Sequence, residues 1–323
     1  MDAVASIFYN ICPIFLIFGP ILTNVAEIMI GIADSGSTKT EWCFLNEAGE
    51  EKRVVTGGLN PYMADKKQIR DCLEKDLYPF INNEKVKYLF FYGSGCASGE
   101  KRLVLSLELE DFFRHADISV ESDLLGASIA LCGRRAGMVG ILGTGAATCY
   151  YDGENIQQKV PSLGFVLGDE GSGARIGAHF LADYLRGGMP EELRKEFAPL
   201  CPLPLHEIID TVYHGKDTGR FLGEMAAFAS GRYQYPYVRD VLKEEFGHFF
   251  QKQVLPYGKA VENGLNLLGS VAFHAESILR ETAQQYGIAI QNLLKAPMDG
   301  LIAHFKPQIK DLLRQTDFDE DMD

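Results

Sequence analysis

The chain has 323 residues, enough for two domains, and 46% of them are hydrophobic, which is typical of a globular protein with a large core. Its 31 Lys and Arg against 44 Asp and Glu give a formal charge of −13, which argues against a nucleic-acid or anionic-membrane surface. Seven cysteines without a C-x-x-C pair indicate reduced thiols and a cytoplasmic protein, and the seven histidines show no metal-ligand spacing.

Residues 1–28 differ in character from the rest of the chain. The run IFYNICPIFLIFGPIL, residues 7–22, is very apolar, but it is short for a membrane span of about 20 residues and two prolines interrupt it. No Lys or Arg precedes it, so the charged start of a signal peptide is missing. We therefore expect a non-core N-terminal extension. Met29 stands immediately before the first predicted strand, and we hypothesise that residues 1–28 reflect a start codon assigned too early.

The stretch GIADSGSTKTEWCFL, residues 31–45, predicts a strand, a tight turn and a second strand. The first apolar run reaches Asp34, and the turn then passes through Gly36, Ser37, Thr38 and Lys39. A plain hairpin, whose turn needs residues that tolerate unusual backbone angles, explains these residues as well as a phosphate loop does. The choice between the two depends on other parts of the chain.

The stretch MVGILGTGAATCYYDGENI repeats this plan about a hundred residues later. An apolar strand reaches Gly143, Thr144 and Gly145, and a second strand follows at 147–151. Two such hairpins in a two-domain chain suggest duplicated domains that face each other. Because the N–H groups of a glycine-rich turn can converge on an anion, the two loops could hold the phosphates of a nucleotide from both sides. Asp34 would then offer an oxygen ligand to the accompanying magnesium.

Other nucleotide-binding motifs do not fit. No G-x-x-x-x-G-K-[ST] sequence occurs, and GTGAAT lacks both the third small residue and the βαβ setting of a dinucleotide site.

Asp123 stands where a strand passes into a helix. DISVES, residues 117–122, alternates like a strand, and LLGASIALCG, residues 124–133, is typical of a helix. Open α/β sheets carry their chemistry at the carboxyl ends of strands. A helix N-cap is one explanation for Asp123. The other is a general base that takes the proton from a hydroxyl attacking a phosphoryl group.

Two further turns precede helices. SLGFVLGDEGSGARIGAHFLADYL places Asp169 and Glu170 between glycines, ahead of an amphipathic helix whose apolar face would hold Ile176, Phe180, Leu181, Tyr184 and Leu185. Acids at a helix start often only complement its dipole. Here the glycines imply close approach of a ligand, and carboxylates are good acceptors for vicinal sugar hydroxyls.

LNLLGSVAFHAESIL predicts a short strand that ends at Gly269–Ser270, then a helix with Val271, Ala275, Ile278 and Leu279 on one face. Alone, it is an ordinary strand-to-helix turn.

In this order the five segments resemble the actin-and-hexokinase superfamily of ATP-using folds. Within it they are most similar to the N-acetylglucosamine kinase group, which overlaps the BadF/BadG/BcrA/BcrD ATPase family. The resemblance covers residues 29 to about 305. It implies an α/β fold with two ribonuclease-H-like, actin-like ATPase domains around a central nucleotide cleft that holds ATP and Mg²⁺. These would be residues 29–134 and 135–323, the second with a helical insertion at about 190–262.

The resemblance also implies roles for individual residues. Asp123 would be the base for the 6-hydroxyl of a sugar, and Asp34 the metal ligand. The nucleotide would be bound by Asp34, Gly36, Ser37, Thr38, Lys39, Gly143, Thr144, Gly145, Gly269 and Ser270. The sugar would be bound by Asn60, Ser94, Gly164, Asp169 and Glu170.

Two departures from the family pattern concern the sugar. The family often has G-T-G-S-N in its second loop, where this chain has Ala146 and Ala147, and it has G-W-G where this chain has Leu163 between Ser162 and Gly164. Backbone amides can bind phosphate with either sequence, so ATP binding is little affected, whereas the identity of the sugar is left open.

The leading hypothesis is an ATP-dependent kinase that phosphorylates the 6-hydroxyl of an amino sugar, N-acetylglucosamine or a relative. A homodimer is one of the oligomeric states compatible with this hypothesis. One alternative is an activator ATPase with an iron–sulfur cluster shared by two subunits, which needs exposed cysteine pairs; only Cys96 lies in a glycine-rich loop. Another is a non-catalytic sugar sensor, which would normally carry a DNA-binding helix-turn-helix.

Overall fold

The computed structural model describes residues 28–97, 99–215 and 217–313. The predicted extension therefore lies outside the described residues, apart from Ile28 at its end.

Two five-stranded sheets with the same topology form the framework. The first sheet has the order β3-β2-β1-β4-β5 and the second the order β8-β7-β6-β9-β10. In each, three strands form an antiparallel meander, a fourth strand pairs in parallel with the first strand of that meander, and the fifth pairs in parallel with the fourth. The strands are β1 Met29–Ser35, β2 Lys39–Asn46, β3 Glu51–Gly57, β4 Val86–Gly93, β5 Asp117–Ser122, β6 Gly137–Leu142, β7 Ala146–Tyr151, β8 Ile156–Lys159, β9 Leu265–Leu268 and β10 Ile290–Leu294.

Helices connect and cover the strands. The α-helices are α1 Lys66–Asp71, α2 Gly99–Phe112, α3 Asp123–Cys132, α4 Gly164–Leu167, α5 Gly173–Arg186, α6 Glu191–Phe197, α7 Leu205–His214, α8 Thr218–Ala226, α9 Pro236–Phe249, α10 Ser270–His274, α11 Glu276–Gln285 and α12 Met298–Phe305. Short π-helical segments follow α1 and α9, at Cys72–Leu77 and Phe250–Val254. This repeated pair of sheets with covering helices confirms the predicted α/β class.

The central strands form where the sequence is continuously apolar, because both of their faces are buried. In β1, Ile30, Ile32 and Ala33 have no exposed surface. Gly31 lets Leu89 pack close to the strand, since a Cβ there would come within 2.9 Å of a Leu89 methyl group, which would have to shift. The edge strand β3 instead alternates, and Val55 on its outer face is 61% exposed.

Helices α3 and α12 lie between the two sheets. Leu124 and Leu301 belong to one buried cluster together with Ile32 of the first sheet and Val139 of the second. Helix α12 also contacts β1 and β2, so the described chain returns to the first sheet after β10. The predicted limits of the two domains, at residues 134 and 135, stay a prediction.

The segment 190–262 is helical, in agreement with the sequence pattern, and its aromatic residues form much of the second core. The rings of Phe197 and Phe228 meet edge to face 5.0 Å apart, and Phe228 also meets Phe180 of α5. No helix in the part of the chain that the structure describes combines the length and apolarity needed to cross a membrane.

Two details differ from the predicted elements. The helix expected after Gly269 is two helices, α10 and α11, because Ala275 leaves the helical conformation at φ −101° and ψ 21°. Neither glycine nor proline marks that break. On α5, Leu185 is 38% exposed instead of sharing the buried face of Ile176 and Phe180.

Candidate active site

The first loop, residues 36–39, joins β1 to β2. The Gly36 N–H donates to the Lys39 carbonyl over 2.9 Å and closes the turn. Ser37, Thr38 and Lys39 are exposed at its tip. Beneath them, the buried Ser35 hydroxyl lies 2.8 Å from that of Thr40 and holds the base of the hairpin. The exposed tip is therefore available to a ligand.

Asn60 ties this loop to the turn after β4. Its amide nitrogen donates to the Ser37 hydroxyl over 3.0 Å and to the Ser94 hydroxyl over 3.2 Å, and its oxygen accepts the Tyr62 N–H over 2.9 Å. A Cβ on Gly95 would come within 2.4 Å of that oxygen, so only glycine permits the approach. Asn60 and Ser94, both predicted to bind the sugar, are thus brought together with the first loop.

Asp123 is the first residue of α3, and its neighbour Ser122 is the N-cap, since the Ser122 hydroxyl accepts the Leu125 N–H over 3.3 Å. The capping explanation for Asp123 therefore falls away. Its carboxylate accepts the Leu124 N–H over 2.9 Å and is partly accessible. Burial is the main influence on its pKa and raises it.

Asp34 and Asp123 meet at one edge of the first sheet. The strands β1, β4 and β5 are parallel neighbours, so that Ser35 pairs with Gly93 and Gly93 with Ser122. Burial, followed by the charge of Asp123, raises the pKa of Asp34 to about 7. Glu41 adds to this rise, and the exposed Lys39 opposes it.

The second loop, residues 143–145, lies against the start of α5 and the turn after β9. The Gly173 N–H donates to the Gly143 carbonyl over 2.8 Å, and the Ala174 N–H to the Thr144 carbonyl over 3.0 Å. A Cβ on Gly269, whose φ is +126°, would come within 2.3 Å of the Leu142 carbonyl oxygen. The predicted adenosine turn is therefore in direct contact with the predicted second phosphate loop.

Helix α3 relates the two halves of the site. The Tyr151 hydroxyl donates to the carbonyl of Gly133, beyond the end of α3, and the Ser128 hydroxyl in its middle lies 3.4 Å from the Cys149 sulfur. The helix therefore runs in the same direction as β7. Since a helix advances about 1.5 Å per residue and a strand about 3.3 Å, Asp123 lies level with the start of β7. The base candidate and the second loop are consequently at the same end of the molecule.

The acidic loop, residues 169–171, has a strained backbone. Asp169, at φ +53°, has the one positive φ among non-glycine residues that the structure describes. Its carboxylate lies against Gly145, where a Cβ would be 3.1 Å from Oδ2. Burial raises the pKa of Asp169, an effect that the Ala146 N–H opposes and the charge of Glu170 reinforces. Asp169 is thus placed beside the second loop.

The other predicted residues of this segment point elsewhere. Glu170 is buried and accepts a hydrogen bond of 2.8 Å from the Gln253 amide, with the Lys252 ammonium 3.4 Å away. Burial would raise the pKa of Glu170, but these two partners lower it overall. Gly164 is exposed at the start of α4, and within the described residues no hydrogen bond joins it to Asn60 or Asp123.

A cavity of about 300 Å³ opens beside Ser270. Its walls come from α5, α8, α9 and α10, and they are Ile176, Gly223, Ala226, Ala227, Ala229, Ser230, Tyr233, Leu242, Ser270, Val271, His274 and Ala275. Met225 and Phe228, from the same segment as this wall, are buried. The small residues at 223, 226, 227 and 230 recur at helical spacing, and this pattern could have predicted the cavity wall from the sequence.

A second feature that the sequence interpretation missed is Tyr62. Its ring is 63% exposed next to Asn60, and the Lys101 ammonium lies 5.2 Å from the ring centre. An exposed aromatic side chain beside predicted sugar ligands is a platform on which a sugar ring can stack.

The described cysteines are all buried and unpaired. Cys96 is 1% exposed, and burial raises the pKa of its thiol to about 12, so it offers no ligand at the surface. Among the residues described, no three His, Cys, Asp or Glu side chains form a group that could hold a metal ion. A magnesium ion at Asp34 would therefore depend on phosphate and water oxygens, as Mg²⁺ commonly does.

Comparison with known proteins gives matches among solved structures. No family model matches the chain, and no curated protein sequence is similar to it. A candidate N-acetylglucosamine kinase from Porphyromonas gingivalis is 37% identical with a TM-score of 0.81, over 86% of this chain and 98% of that one.

Two more distant structures share the fold. A candidate N-acetylglucosamine kinase from Chromobacterium violaceum is 15% identical with a TM-score of 0.60, over 86% of this chain and 99% of that one. A ROK family glucokinase from Streptomyces griseus, solved with glucose and AMPPNP, is 13% identical with a TM-score of 0.50, over 85% of this chain and 97% of that one.

Proposed function

This chain belongs to the N-acetylglucosamine kinase family of ATP-dependent carbohydrate kinases, and from that premise we propose that it transfers the γ-phosphate of ATP to the 6-hydroxyl of an amino sugar, N-acetylglucosamine or a close relative. The observation that carries the proposal is the convergence of Asp34 and Asp123 at the end of the first sheet, beside the exposed first loop. The predicted cytoplasmic location and the homodimer stay predictions.

Asp123 is the general base in this proposal. Its carboxylate takes the proton of the sugar hydroxyl, whose oxygen forms a bond to the γ-phosphorus while the bond from that phosphorus to the β-phosphate oxygen breaks. Burial raises the pKa of Asp123, which strengthens it as a proton acceptor. Its bond from the Leu124 N–H fixes the orientation of the carboxylate.

The two loops hold the triphosphate. Ser37, Thr38 and Lys39 present exposed hydroxyl and ammonium groups, and Gly143, Thr144 and Gly145 present a glycine-rich turn. When bound, Mg²⁺ neutralises phosphate charge and helps to align the γ-phosphate. Asp34 fits that ion as a ligand, because a cation beside two neighbouring carboxylates relieves their repulsion.

The adenosine occupies the cavity beside Ser270. Its wall of small residues on α8 leaves space for a flat base, and Gly269 lets the turn lie against the second loop. Base and phosphates would then contact adjoining surfaces.

The sugar lies between Asn60, Ser94 and Asp169. Asp169 accepts hydrogen bonds from vicinal hydroxyls, and the remaining lone pair of the Asn60 oxygen can accept another. Glu170 and Gly164 keep their predicted roles as sugar ligands only if the segment rearranges, since Glu170 already binds Gln253.

The test is ADP release, measured by a coupled assay with glucosamine, N-acetylglucosamine, N-acetylmuramic acid and glucose. We expect release that depends on one amino sugar, and phosphorus–proton NMR correlation of the product should place the phosphate on C6. Release without any sugar would favour the activator ATPase. Binding of a sugar without release would favour a sensor.

A further inference from the structure

A lysine lies over the exposed tyrosine ring beside the proposed sugar ligands. Lys101, in the first turn of α2, is half-buried, and its Nζ lies 5.2 Å from the centre of the Tyr62 ring. At that distance the attraction between an ammonium group and a ring is modest. A cation in the first turn of a helix also opposes the helix dipole. The folded protein therefore gains little stability from the charge of Lys101.

The ammonium group of Lys101 is not neutralised by the protein. No ion pair within the part of the chain that the structure describes includes Lys101, whereas the guanidinium of its neighbour Arg102 lies 3.3 Å from a carboxylate oxygen of Glu121. The chain has 44 acidic and only 31 basic residues, so acidic partners are abundant. An ammonium that is half-buried and unpaired is therefore available for an anion that a ligand supplies.

Hydrogen bonds and close packing place Lys101 at the proposed sugar site. The Tyr62 N–H donates to the Asn60 oxygen over 2.9 Å, and the Asn60 amide donates to the Ser94 hydroxyl over 3.2 Å. A Cβ on Gly95 would lie 2.4 Å from the Asn60 oxygen and 3.0 Å from Cδ2 of the tyrosine ring. The ring below the ammonium group and the proposed sugar ligands therefore pack against the same turn.

The start of α2 also lies beside the proposed general base. Gly93, at the end of β4, pairs with Ser122, at the end of β5, and Asp123 is the next residue. The contact between Arg102 and Glu121 joins the first turns of α2 to the same end of β5. A sugar whose hydroxyl approaches Asp123 is consequently close to the beginning of α2.

We propose that Lys101 is a specificity residue that selects an amino sugar with a carboxylate on a substituent away from C6. This inference rests on the proposed function. A sugar ring that stacks on Tyr62 brings its substituents near the ammonium group, and the flexible lysine stem lets that group turn from the aromatic ring to an anion. One ammonium matches the single charge of a carboxylate, whereas a phosphate carries about two. A uronic acid does not qualify, because its carboxylate replaces the 6-hydroxyl that accepts the phosphate.

The first test is steady-state kinetics with N-acetylmuramic acid and its methyl ester, because esterification removes the charge of the lactyl group and retains the sugar ring. We expect the KM for the acid to be about tenfold below that for the ester, as for a hydrogen bond between charged groups. In Lys101→Gln the KM for the acid should rise about tenfold to that for the ester, with the KM for ATP within about twofold. Equal KM values for acid and ester in the parent, or an unchanged preference in Lys101→Gln, would overturn the proposal.

Arg114→Gln is the matched control. Arg114 is 76% exposed beyond the other end of α2, and the substitution removes the same charge more than about 15 Å along the helix axis from Lys101. The ratio of the two KM values should equal that of the parent. A ratio that falls as far as in Lys101→Gln would assign the preference to the overall charge of the protein and reject a local role for Lys101.

Equilibrium binding without ATP separates this proposal from the proposed function. By calorimetry, the Kd for the acid should be about tenfold below that for the ester in the parent, and the two should be equal in Lys101→Gln. This result in a protein that phosphorylates no sugar would retain the carboxylate site and reject the kinase function. A protein that phosphorylates acid and ester with the same KM and binds them equally would keep the kinase function and reject the role of Lys101.

Discussion

The carboxylates of Asp34 and Asp123 lie at the carboxyl ends of β1 and β5, with only β4 between these strands, and the charge of Asp123 contributes to the rise of the Asp34 pKa to about 7. Two partly buried acids that repel each other are unfavourable for the free protein. A bound cation, or a proton, relieves that repulsion. The stability of the protein therefore depends on whether a cation or a proton is bound at this pair.

Asp34→Asn should stabilise the free protein at alkaline pH. The pKa of Asp34 rises from 3.8 in the unfolded chain to about 7, so the folded state holds a proton that the unfolded state releases. Stability is complete below pH 4 and is lost as the pH rises through 7. We expect the variant to have a free energy of unfolding higher by roughly 2–4 kcal/mol at pH 8, and equal at pH 4.

Urea denaturation at the two pH values measures this difference. Asp117→Asn, an exposed acid at the start of β5, is the matched control and should not differ from the parent at either pH. An Asp34→Asn variant that gains no stability at pH 8 would show that neither burial nor the charge of Asp123 disfavours the ionised Asp34 in the folded protein.

Asp123→Asn should abolish turnover while it spares nucleotide binding. Loss of a general base commonly costs 10²–10⁴-fold in rate, and the amide can still accept the Leu124 N–H that now orients the carboxylate. We expect kcat to fall by at least about 100-fold and the Kd for ATP to stay within about twofold, by coupled assay and calorimetry. A kcat within tenfold of the parent would remove Asp123 from the reaction.

The sequence was sufficient for those features that depend on local pattern. DISVES followed by an apolar helix located Asp123 at a strand end, and two matching hairpins revealed the duplication of the sheet. The coupling of Asp34 to Asp123 could not be read from the sequence, because it depends on β4 pairing between them. Contacts of this kind are set by tertiary structure.

The same limit explains what was missed. Glu245 faces Arg175 and His179 only because α9 packs beside α5, and no sequence periodicity predicts that pairing. Ala275 interrupts a helix without glycine or proline, so its sequence gives no warning. The small residues of α8 did carry a helical spacing, but small residues are equally common in buried helix contacts.

Gly269→Ala should damage both the fold and ATP binding. A Cβ at Gly269 would meet the backbone of Leu142 and Gly143 at 2.3–3.1 Å, which cannot move without the second loop. Gly287→Ala is the control, since Gly287 also has positive φ but has no atom within 4 Å of a Cβ. We expect about 1 kcal/mol of lost stability for Gly287→Ala and at least about 3 kcal/mol for Gly269→Ala.

Thermal unfolding and the KM for ATP report on the two effects. Only Gly269→Ala should raise the KM for ATP, by about tenfold or more, because it alone displaces the second loop. If Gly269→Ala and Gly287→Ala lose the same free energy of unfolding and leave the same KM for ATP, then the contact between Gly269 and Leu142 contributes to neither stability nor ATP binding.

Ala227→Phe should obstruct the nucleotide cavity without unfolding the protein. Ala227 lines the cavity but is exposed, so a larger side chain meets no core. We expect the Kd for ATP, measured by calorimetry, to rise at least about tenfold while the Tm changes by less than about 2 °C. Ala229→Val, at a buried position of the same wall, should instead lower the Tm. Unimpaired ATP binding by Ala227→Phe would move the adenosine elsewhere.

Tyr62→Ala should weaken sugar binding, whereas Tyr62→Phe should not. The ring is exposed beside Asn60, and its backbone N–H, which neither change removes, donates to the Asn60 oxygen. Stacking of a sugar on the ring therefore accounts for any difference between the two variants. Since an aromatic contact of this size is worth about 1 kcal/mol, the sugar KM of Tyr62→Ala should rise about fivefold at constant kcat. Equal loss in Tyr62→Phe would instead assign the effect to the hydroxyl group, and no loss in either would place the sugar away from the ring.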